Sequence, residues 1–378
     1  MSGYTVISAD SHMIETPNLW LDRLDKKYRD SAPHVEENDK GSYFVAPGIQ
    51  PSRVSLGFAA GRSGKELGEY FKKSGFAAAR PSGWDPVERI KDQELDGVKA
   101  EVLYTTFGMP LFRLPDADLQ RACFKAYNDW VSEFCAHNPK RFHGIALISL
   151  EDLDTGVQEV RRCAKLGLKG AQIWGSPPLE RPFWTEEYDS LWSAAQELQL
   201  PLSLHIGTGK SGGVSDKTKI SPSGKRPPFM TRNYVNGIQE IQRSFTDIIF
   251  GGVLERFPRL KLVSAENDSG WFPHYLYRMD HAYEKFNELS DQPLPMKPSE
   301  YIRRQVMVTF QDDPIGPMTS RYFGEDNYMW ASDFPHTDST WPNSLKVIDS
   351  EFAGLPEQTR NKIVCQNAAS LYGINLGS

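Results

Sequence analysis

Eight short apolar runs, each followed by a longer amphipathic stretch, constrain this chain more than any other feature of its sequence. They are Tyr4 to His12, Val98 to Phe107, Phe142 to Ser149, Leu168 to Trp174, Leu200 to His205, Leu260 to Glu266, Gln305 to Phe310 and Tyr328 to Asp333. Most are near-continuous runs of Val, Ile, Leu and aromatic residues, the pattern of strands buried on both faces. Between them, Asp118 to Ala136 sets Leu119, Cys123, Ala126, Tyr127, Trp130 and Phe134 on one stripe at steps of three and four. Similar stripes run through residues 155–165, 186–197, 237–257, 271–286 and 344–352. Parallel strands need helical crossovers, so this alternation predicts an α/β fold, a (β/α)8 TIM barrel that forms a single domain over residues 1–378. An open doubly wound sheet is the competing architecture, but it calls for a GxGxxG turn after the first strand, where this chain reads SADSHMIE.

A barrel of this kind takes about 250 residues. The surplus falls in long insertions after strands 1 and 5, residues 31–95 and 207–233, and in a C-terminal helix at 356–373. Many of the 26 prolines and 30 glycines lie there. Loops of this length act as lids or intersubunit contacts, or are partly disordered. The formal charge is -6, with no cluster of Lys and Arg interleaved with aromatics, which argues against a nucleic-acid or anionic-membrane binder. No run is long enough for a membrane span, and MSGYTVISAD lacks the basic and apolar regions of a secretory signal, so a cytoplasmic protein is expected. Cys123, Cys135, Cys163 and Cys365 have no CxxC spacing and read as reduced, packed thiols.

Catalytic side chains of such barrels gather where strands end, on the C-terminal face. That filter returns Asp10 and His12 after the first strand, His205 after the fifth, Glu266 after the sixth, and Asp333 with His336 after the eighth. All are oxygen or nitrogen donors. Asp10 and His12 stand two apart on an extended segment and face the same side. Imidazoles with carboxylates suit Zn²⁺, Mn²⁺ or Fe²⁺ better than the all-oxygen shell of Mg²⁺ or Ca²⁺. Each residue alone has an ordinary reading: a chance Asp-x-His, a hydrogen-bonded core histidine, a capping aspartate followed by a loop histidine. Their coincidence at four strand ends chosen by hydrophobicity is what points to a divalent metal. His34, His137, His143 and His281 fail the same filter and read as surface or packing residues. GTGKSGG after strand five imitates a phosphate loop, but that pattern needs a glycine where Leu204 stands.

In these segments the chain resembles the amidohydrolase superfamily, in the amidohydrolase-2 branch that includes aminocarboxymuconate-semialdehyde decarboxylase and γ-resorcylate decarboxylase. ISADSHMIE, AYNDWVSEFCAHNPKRFHGIALISL, LSLHIGTG, LVSAENDSGW and WASDFPHTDS carry the resemblance, which runs over essentially the whole chain. It implies a metal motif at Asp10 and His12, a ligand at His205, and an aspartate at Asp333 that both touches the metal and shuttles protons. The decarboxylases carry a histidine after strand six; this chain has Glu266, available for proton transfer or as a further ligand. Glu266, His274 and His336 would complete a second metal position, with packing as the other role for His274. ENDSGWFPHYLYRMDHAY is also similar to the branch containing aminoisobutyrate hydroxylase and a diterpenoid hydroxylase, which are oxygen-using dinuclear metalloenzymes.

Two activities follow as expectations. The first is a metal-dependent hydrolase or non-oxidative decarboxylase of a small, carboxylated or cyclic substrate, with Asp333 as base or proton shuttle and Glu266 or His336 as partner acid. The second is a non-haem dinuclear iron or iron/manganese oxygenase that hydroxylates an aliphatic carbon. A catalytically idle barrel serving as a heteromer subunit is the reading outside enzymes, and the family implies a homo-oligomer. Arg62, Lys65, Arg80, Lys210 and Arg232 could meet a substrate carboxylate or remain solvated, and Trp84, Phe107, Trp174, Trp271 and Trp341 fit an apolar pocket wall or exterior packing.

Overall fold

A computed structural model describes residues 4–39, 41–210 and 229–376. Eleven strands are present among them: β1 (Ile7–His12), β2 (His34–Asn38), β3 (Gly41–Ala46), β4 (Ile49–Arg53), β5 (Ala100–Tyr104), β6 (Phe142–Leu147), β7 (Gly170–Ile173), β8 (Leu202–His205), β9 (Leu262–Ala265), β10 (Val306–Phe310) and β11 (Tyr328–Trp330). β1 and β5 to β11 form one eight-stranded sheet in sequence order. Every pairing within it is parallel. Each of the eight apolar runs holds one of these strands, and the expected (β/α)8 barrel is the observed architecture.

Most helices between strands bear out the amphipathic stripes to within a few residues, as at Ala117–His137, Leu153–Lys165 and Phe272–Phe286, whereas the stripe expected at 237–257 falls on Phe229–Phe250, which starts eight residues earlier, and on the short Val253–Arg256. Asp116 and Asp152 start the first two, each accepting the amide of the third residue on. Helices Pro298–Gln305 and Ile315–Phe323 escaped the periodicity reading because they are short and carry proline in their first turns. The C-terminal helix is broken into pieces, the last of which, Asn367–Tyr372, packs Ala368 and Tyr372 against Ile7, Ala100 and Val102. Since Ile7 and Ala100 begin their strands, this helix covers the barrel's N-terminal end.

No ladder joins β11 to β1. The barrel closes through residues just past β11, where Asp333 N donates to Asp10 O at 3.0 Å and His12 N donates to Phe334 O at 2.7 Å. Ser8, Ser11 and Ser332 pack their hydroxyls together beneath this seam at 2.8 to 3.1 Å. A bulge in β1 lies between Ser8 and Ser11, so one extra residue is spent around Asp10. Closure and candidate chemistry therefore share one stretch of backbone.

The insertion at 31–95 is a folded unit. β2, β3 and β4 make an antiparallel sheet, followed by helices Gly64–Lys73 and Pro86–Asp96. It docks on the loop after β11, with Ala60 N donating to Pro335 O and Thr337 N to Leu56 O. Arg89 of its last helix is fully buried, pairs with Glu101 at 2.7 Å, and donates to His12 O at 2.8 Å and Phe334 O at 3.3 Å. The second expected excursion lies for the most part outside the described residues, which resume at helix Phe229–Phe250. No helix among the described residues is long and apolar enough to cross a membrane.

Because Arg89 neutralises a buried carboxylate and staples the seam, Arg89→Leu is expected to destabilise the fold by about 3 to 5 kcal/mol in denaturant titrations. The double variant Arg89→Leu/Glu101→Leu should recover part of that loss, since no charge is then left buried alone.

Candidate metal centre

Six ionisable side chains converge at the C-terminal mouth of the barrel, and all six were legible at strand ends. Asp10, His12, His205 and Asp333 are at most 1% exposed, His336 is 9% exposed, and Glu266 is half-buried. His12 Nε2 lies 3.4 Å from Asp10 Oδ1, 3.4 Å from Glu266 Oε2 and 3.3 Å from Asp333 Oδ1. His205 Nε2 lies 3.3 Å from the same Glu266 oxygen and 3.7 Å from Asp10 Oδ1. His336 Nδ1 stands 3.1 Å from Asp333 Oδ1.

The ring nitrogens facing away from this cluster are already engaged. His12 Nδ1 donates to Thr105 O at 2.7 Å and His205 Nδ1 to Ile206 O at 2.9 Å. Carbonyl acceptors place the proton on Nδ1, so each neutral ring turns a lone pair on Nε2 toward the centre. His336 is oriented the other way, its Nε2 at 2.8 Å from Thr106 Oγ1 and its Nδ1 toward Asp333. Thr309 of β10 ties two of the carboxylate residues together: its hydroxyl accepts the Glu266 amide at 2.8 Å and donates to Asp10 Oδ2 at 3.2 Å.

The atoms that point inward lack partners. Asp10 Oδ1, His12 Nε2, His205 Nε2, Glu266 Oε2 and both Asp333 oxygens are buried without a hydrogen bond. Buried polar atoms are nearly always satisfied, and five such residues around one point signal a missing central charge. Donors about 2.1 Å from a shared tetrahedral ion would lie about 3.4 Å from one another. The contacts of His12 and His205 with Asp10 and Glu266 run from 3.3 to 3.7 Å, and the donors fall into two overlapping sets, Asp10, His12 and His205 in one and His12, Glu266, Asp333 and His336 in the other. These residues fit a divalent cation of the zinc, manganese or iron kind.

Glu266 and Asp333 occupy the left-handed backbone region, with φ of 54° and 51°. Such a conformation costs about 1 to 3 kcal/mol for a residue with a Cβ. It turns each carboxylate inward just as its strand ends. Electrostatics separate the groups further. Burial opposes charge on Asp10, but His205 and His12 outweigh it and draw the carboxyl down to about 2. Burial pushes Asp333 well above the carboxylate range, helped by Glu266 and Asp10. For His12 burial favours the neutral ring, yet Asp10, Glu266 and Asp333 together raise it well above its ordinary value. Burial, then His12 and His205, hold His336 well below its own.

His274 is not brought to this centre. It is exposed on helix Phe272–Phe286, whose inward face is Phe272, Leu276 and Met279, and its ring leans on Tyr277. A position two residues past Phe272 points away from that apolar stripe. Of the proposed carboxylate-binding cations, Lys210 pairs with Glu151, Arg80 with Asp92 and Arg62 with Glu66. Trp174 is buried between Arg181 and Lys210, and Trp341 packs on Phe334. Thr309, Thr105 and Thr106 were missed; their one visible signal is a hydroxyl at the end of an apolar run.

Thr309→Val keeps the shape of the side chain and removes the bridge between Asp10 and Glu266. Metal affinity, measured by competition with a chelator, is expected to fall about 10- to 100-fold in Thr309→Val and to stay within about threefold in Thr309→Ser. Equal affinities in Thr309→Val and the unaltered protein would refute a positioning role.

Comparison with known proteins identifies the family. A family model described as Amidohydrolase matches residues 77–374. The 2-amino-3-carboxymuconate-6-semialdehyde decarboxylase of Dictyostelium discoideum is 26% identical over 298 residues, covering 77% of this chain and 77% of its own. An amidohydrolase of Mycobacterium avium subsp. paratuberculosis K-10 superposes with a TM-score of 0.81 at 22% identity, over 100% of both chains. The 5-carboxyvanillate decarboxylase of Novosphingobium aromaticivorans DSM 12444, solved with manganese and 4-hydroxy-3-methoxy-5-nitrobenzoic acid, superposes with a TM-score of 0.67 at 21% identity, over 98% of this chain and 96% of its own. At those identities the two structures speak for the fold, and the extent of the family match decides membership: this chain belongs to the amidohydrolase family.

Proposed function

We propose that this protein is a metal-dependent, non-oxidative decarboxylase of a small carboxylated substrate with a conjugated or aromatic body. The observation that carries the reading is the set of buried, inward-facing donor atoms without partners at the barrel mouth. The decarboxylases among its relatives narrow the chemistry from metal-dependent hydrolysis in general to loss of carbon dioxide. Asp10, His12 and His205 would hold the ion, with Glu266 and Asp333 beside them. When bound, a divalent cation supplies positive charge that grips substrate oxygens and stabilises the negative charge left as carbon dioxide departs.

The remaining work falls to the chain's own residues. Without the ion, burial and its carboxylate neighbours raise Asp333 well above the carboxylate range, and in the reaction it serves as the acid. As the bond to the departing carboxylate breaks, its electron pair stays on the substrate carbon and the Asp333 proton moves to that carbon. His336, neutral and 3.1 Å away, is placed to relay a proton to Asp333, taking one up at Nε2, where Thr106 lies, as it gives one from Nδ1. Oxygen-dependent hydroxylation at a dinuclear iron or iron/manganese centre is the second reading. One observation favours it: the donors form two overlapping groups, Asp10, His12 and His205 in one and His12, Glu266, Asp333 and His336 in the other.

Protein purified with manganese, zinc and iron all present is expected to carry one ion per chain and to release carbon dioxide from hydroxylated benzoates without taking up oxygen. Two iron or iron/manganese ions per chain, with reductant-dependent oxygen uptake, would replace this reading by the second. Asp333→Asn should lower kcat at least about 100-fold.

A pH dependence follows from the raised His12 and Asp333. Without the ion both hold protons, and His12 must give its proton up to present Nε2. Affinity for manganese should therefore weaken as pH falls, and calorimetry in buffers of different ionisation enthalpy should register at least about one proton released per ion. Binding without proton release would show that His12 enters the site neutral.

A further inference from the structure

Three residues past the end of β1, Glu15 buries its carboxylate completely, and the groups that donate to it are uncharged. Thr105 donates its hydroxyl, Phe107 its amide at 2.8 Å and Gly108 its amide at 3.3 Å. These residues form the turn that leaves β5, within which Gly108 N also donates to Thr105 Oγ1 at 2.9 Å. The turn is closed tightly around the carboxylate, because a Cβ on Gly108 would collide with the side chains of Thr105 and Leu147. Burial disfavours charge on Glu15, and the donated hydrogen bonds offset part of that effect.

The same turn holds two rings of the metal centre. Thr105 O accepts from His12 Nδ1 at 2.7 Å, and Thr106 Oγ1 lies 2.8 Å from His336 Nε2. Those two imidazoles stack on each other, with centroids 3.8 Å apart and planes inclined by 28°. His205 is held separately, by Ile206 O. A shift of the turn therefore moves the partners of His12 and His336 together and leaves the partner of His205 where it is. A carboxylate suits this position because it only accepts and has two oxygens to share among three donors, whereas an amide offers one oxygen and turns its own N–H groups against donors.

We propose that Glu15 is a positioning residue for His12 and His336 together: by fixing residues 105–108 it aims Nε2 of His12 at the centre and holds His336 in reach of Asp333. One buried carboxylate would thus set both the grip on the ion and the supply of protons. This deepens the reading of the mouth as a metal centre with a His336 relay, on which it rests.

The test is histidine-selective nitrogen NMR of the protein with zinc bound and without it, in the unaltered chain, Glu15→Gln and Thr105→Val. Ring signals are assigned from the loss of each in His12→Gln, His205→Gln and His336→Gln. Glu15→Gln is expected to shift the ring nitrogens of His12 and His336 and to speed exchange of the His12 Nδ1 proton with solvent, while the His205 signals keep their positions. Thr105→Val removes the hydroxyl and leaves the carbonyl, so the same two rings should move by less. Zinc affinity, from competition with a chelator, should fall about tenfold in Glu15→Gln. Signals of His12 and His336 that stay in place, that move singly, or that move in step with His205 as in a general loosening would overturn the proposal, and so would a zinc affinity equal to that of the unaltered protein. Should Glu15→Gln fail to fold, the same three rings in Thr105→Val decide. Uptake of no zinc by the unaltered protein would overturn the metal centre instead, with the metal-free spectra still deciding the role of Glu15. Failure of the decarboxylase reading alone would leave these spectra intact and show as no carbon dioxide from any carboxylated compound.

Discussion

Everything at the mouth of this barrel depends on how the sheet closes. The first and last strands do not pair through a ladder; they meet through the backbone of Asp10, His12, Asp333 and Phe334. Three of these four, Asp10, His12 and Asp333, turn their side chains into the candidate metal centre. Hydrogen bonds of the seam set the donor positions, and a cation at the centre would in turn hold the seam together. Arg89 supports both, since its guanidinium reaches the carbonyls of His12 and Phe334 from behind while Glu101 balances its charge.

This arrangement gives the strain at Glu266 and Asp333 a physical reason. A carboxylate leaving the end of a strand normally continues outward into solvent. Left-handed backbone at these two positions bends the side chains back over the barrel axis. Thr309 fixes the first through the Glu266 amide, and the seam fixes the second through the Asp333 amide. Where rigid scaffolding over-determines a costly conformation, the local price is spread over the fold.

Much of this was legible in the sequence because two periodicities act independently. Continuous apolar runs mark strands buried on both faces, and the first polar residues after them mark the mouth. Asp10, His12, His205, Glu266, Asp333 and His336 were all found by that rule. His274 was misassigned because its spacing from Glu266 was counted along the chain, while the phase of Phe272, Leu276 and Met279 already turned it outward. β2 to β4 were unreadable for the opposite reason: half-exposed strands such as HVEEN and IQPSR carry little apolar signal. Arg89, Glu15 and Thr309 act through contacts with residues 77, 92 and 299 positions away, a separation that no local pattern encodes.

The split of the centre between the two ends of the chain also bears on how the protein matures. Asp10 and His12 are made first, His205 midway, and Asp333 with His336 close to the end of a 378-residue chain. A ribosome-bound intermediate lacking β11 would have an open barrel whose first-strand donors face water. The full donor set cannot assemble until β11 is in place, because that strand brings Asp333 and His336 to the seam with Asp10 and His12. A cation bound there would join segments more than 300 residues apart, and the barrel's closure and its metal affinity would rise and fall together.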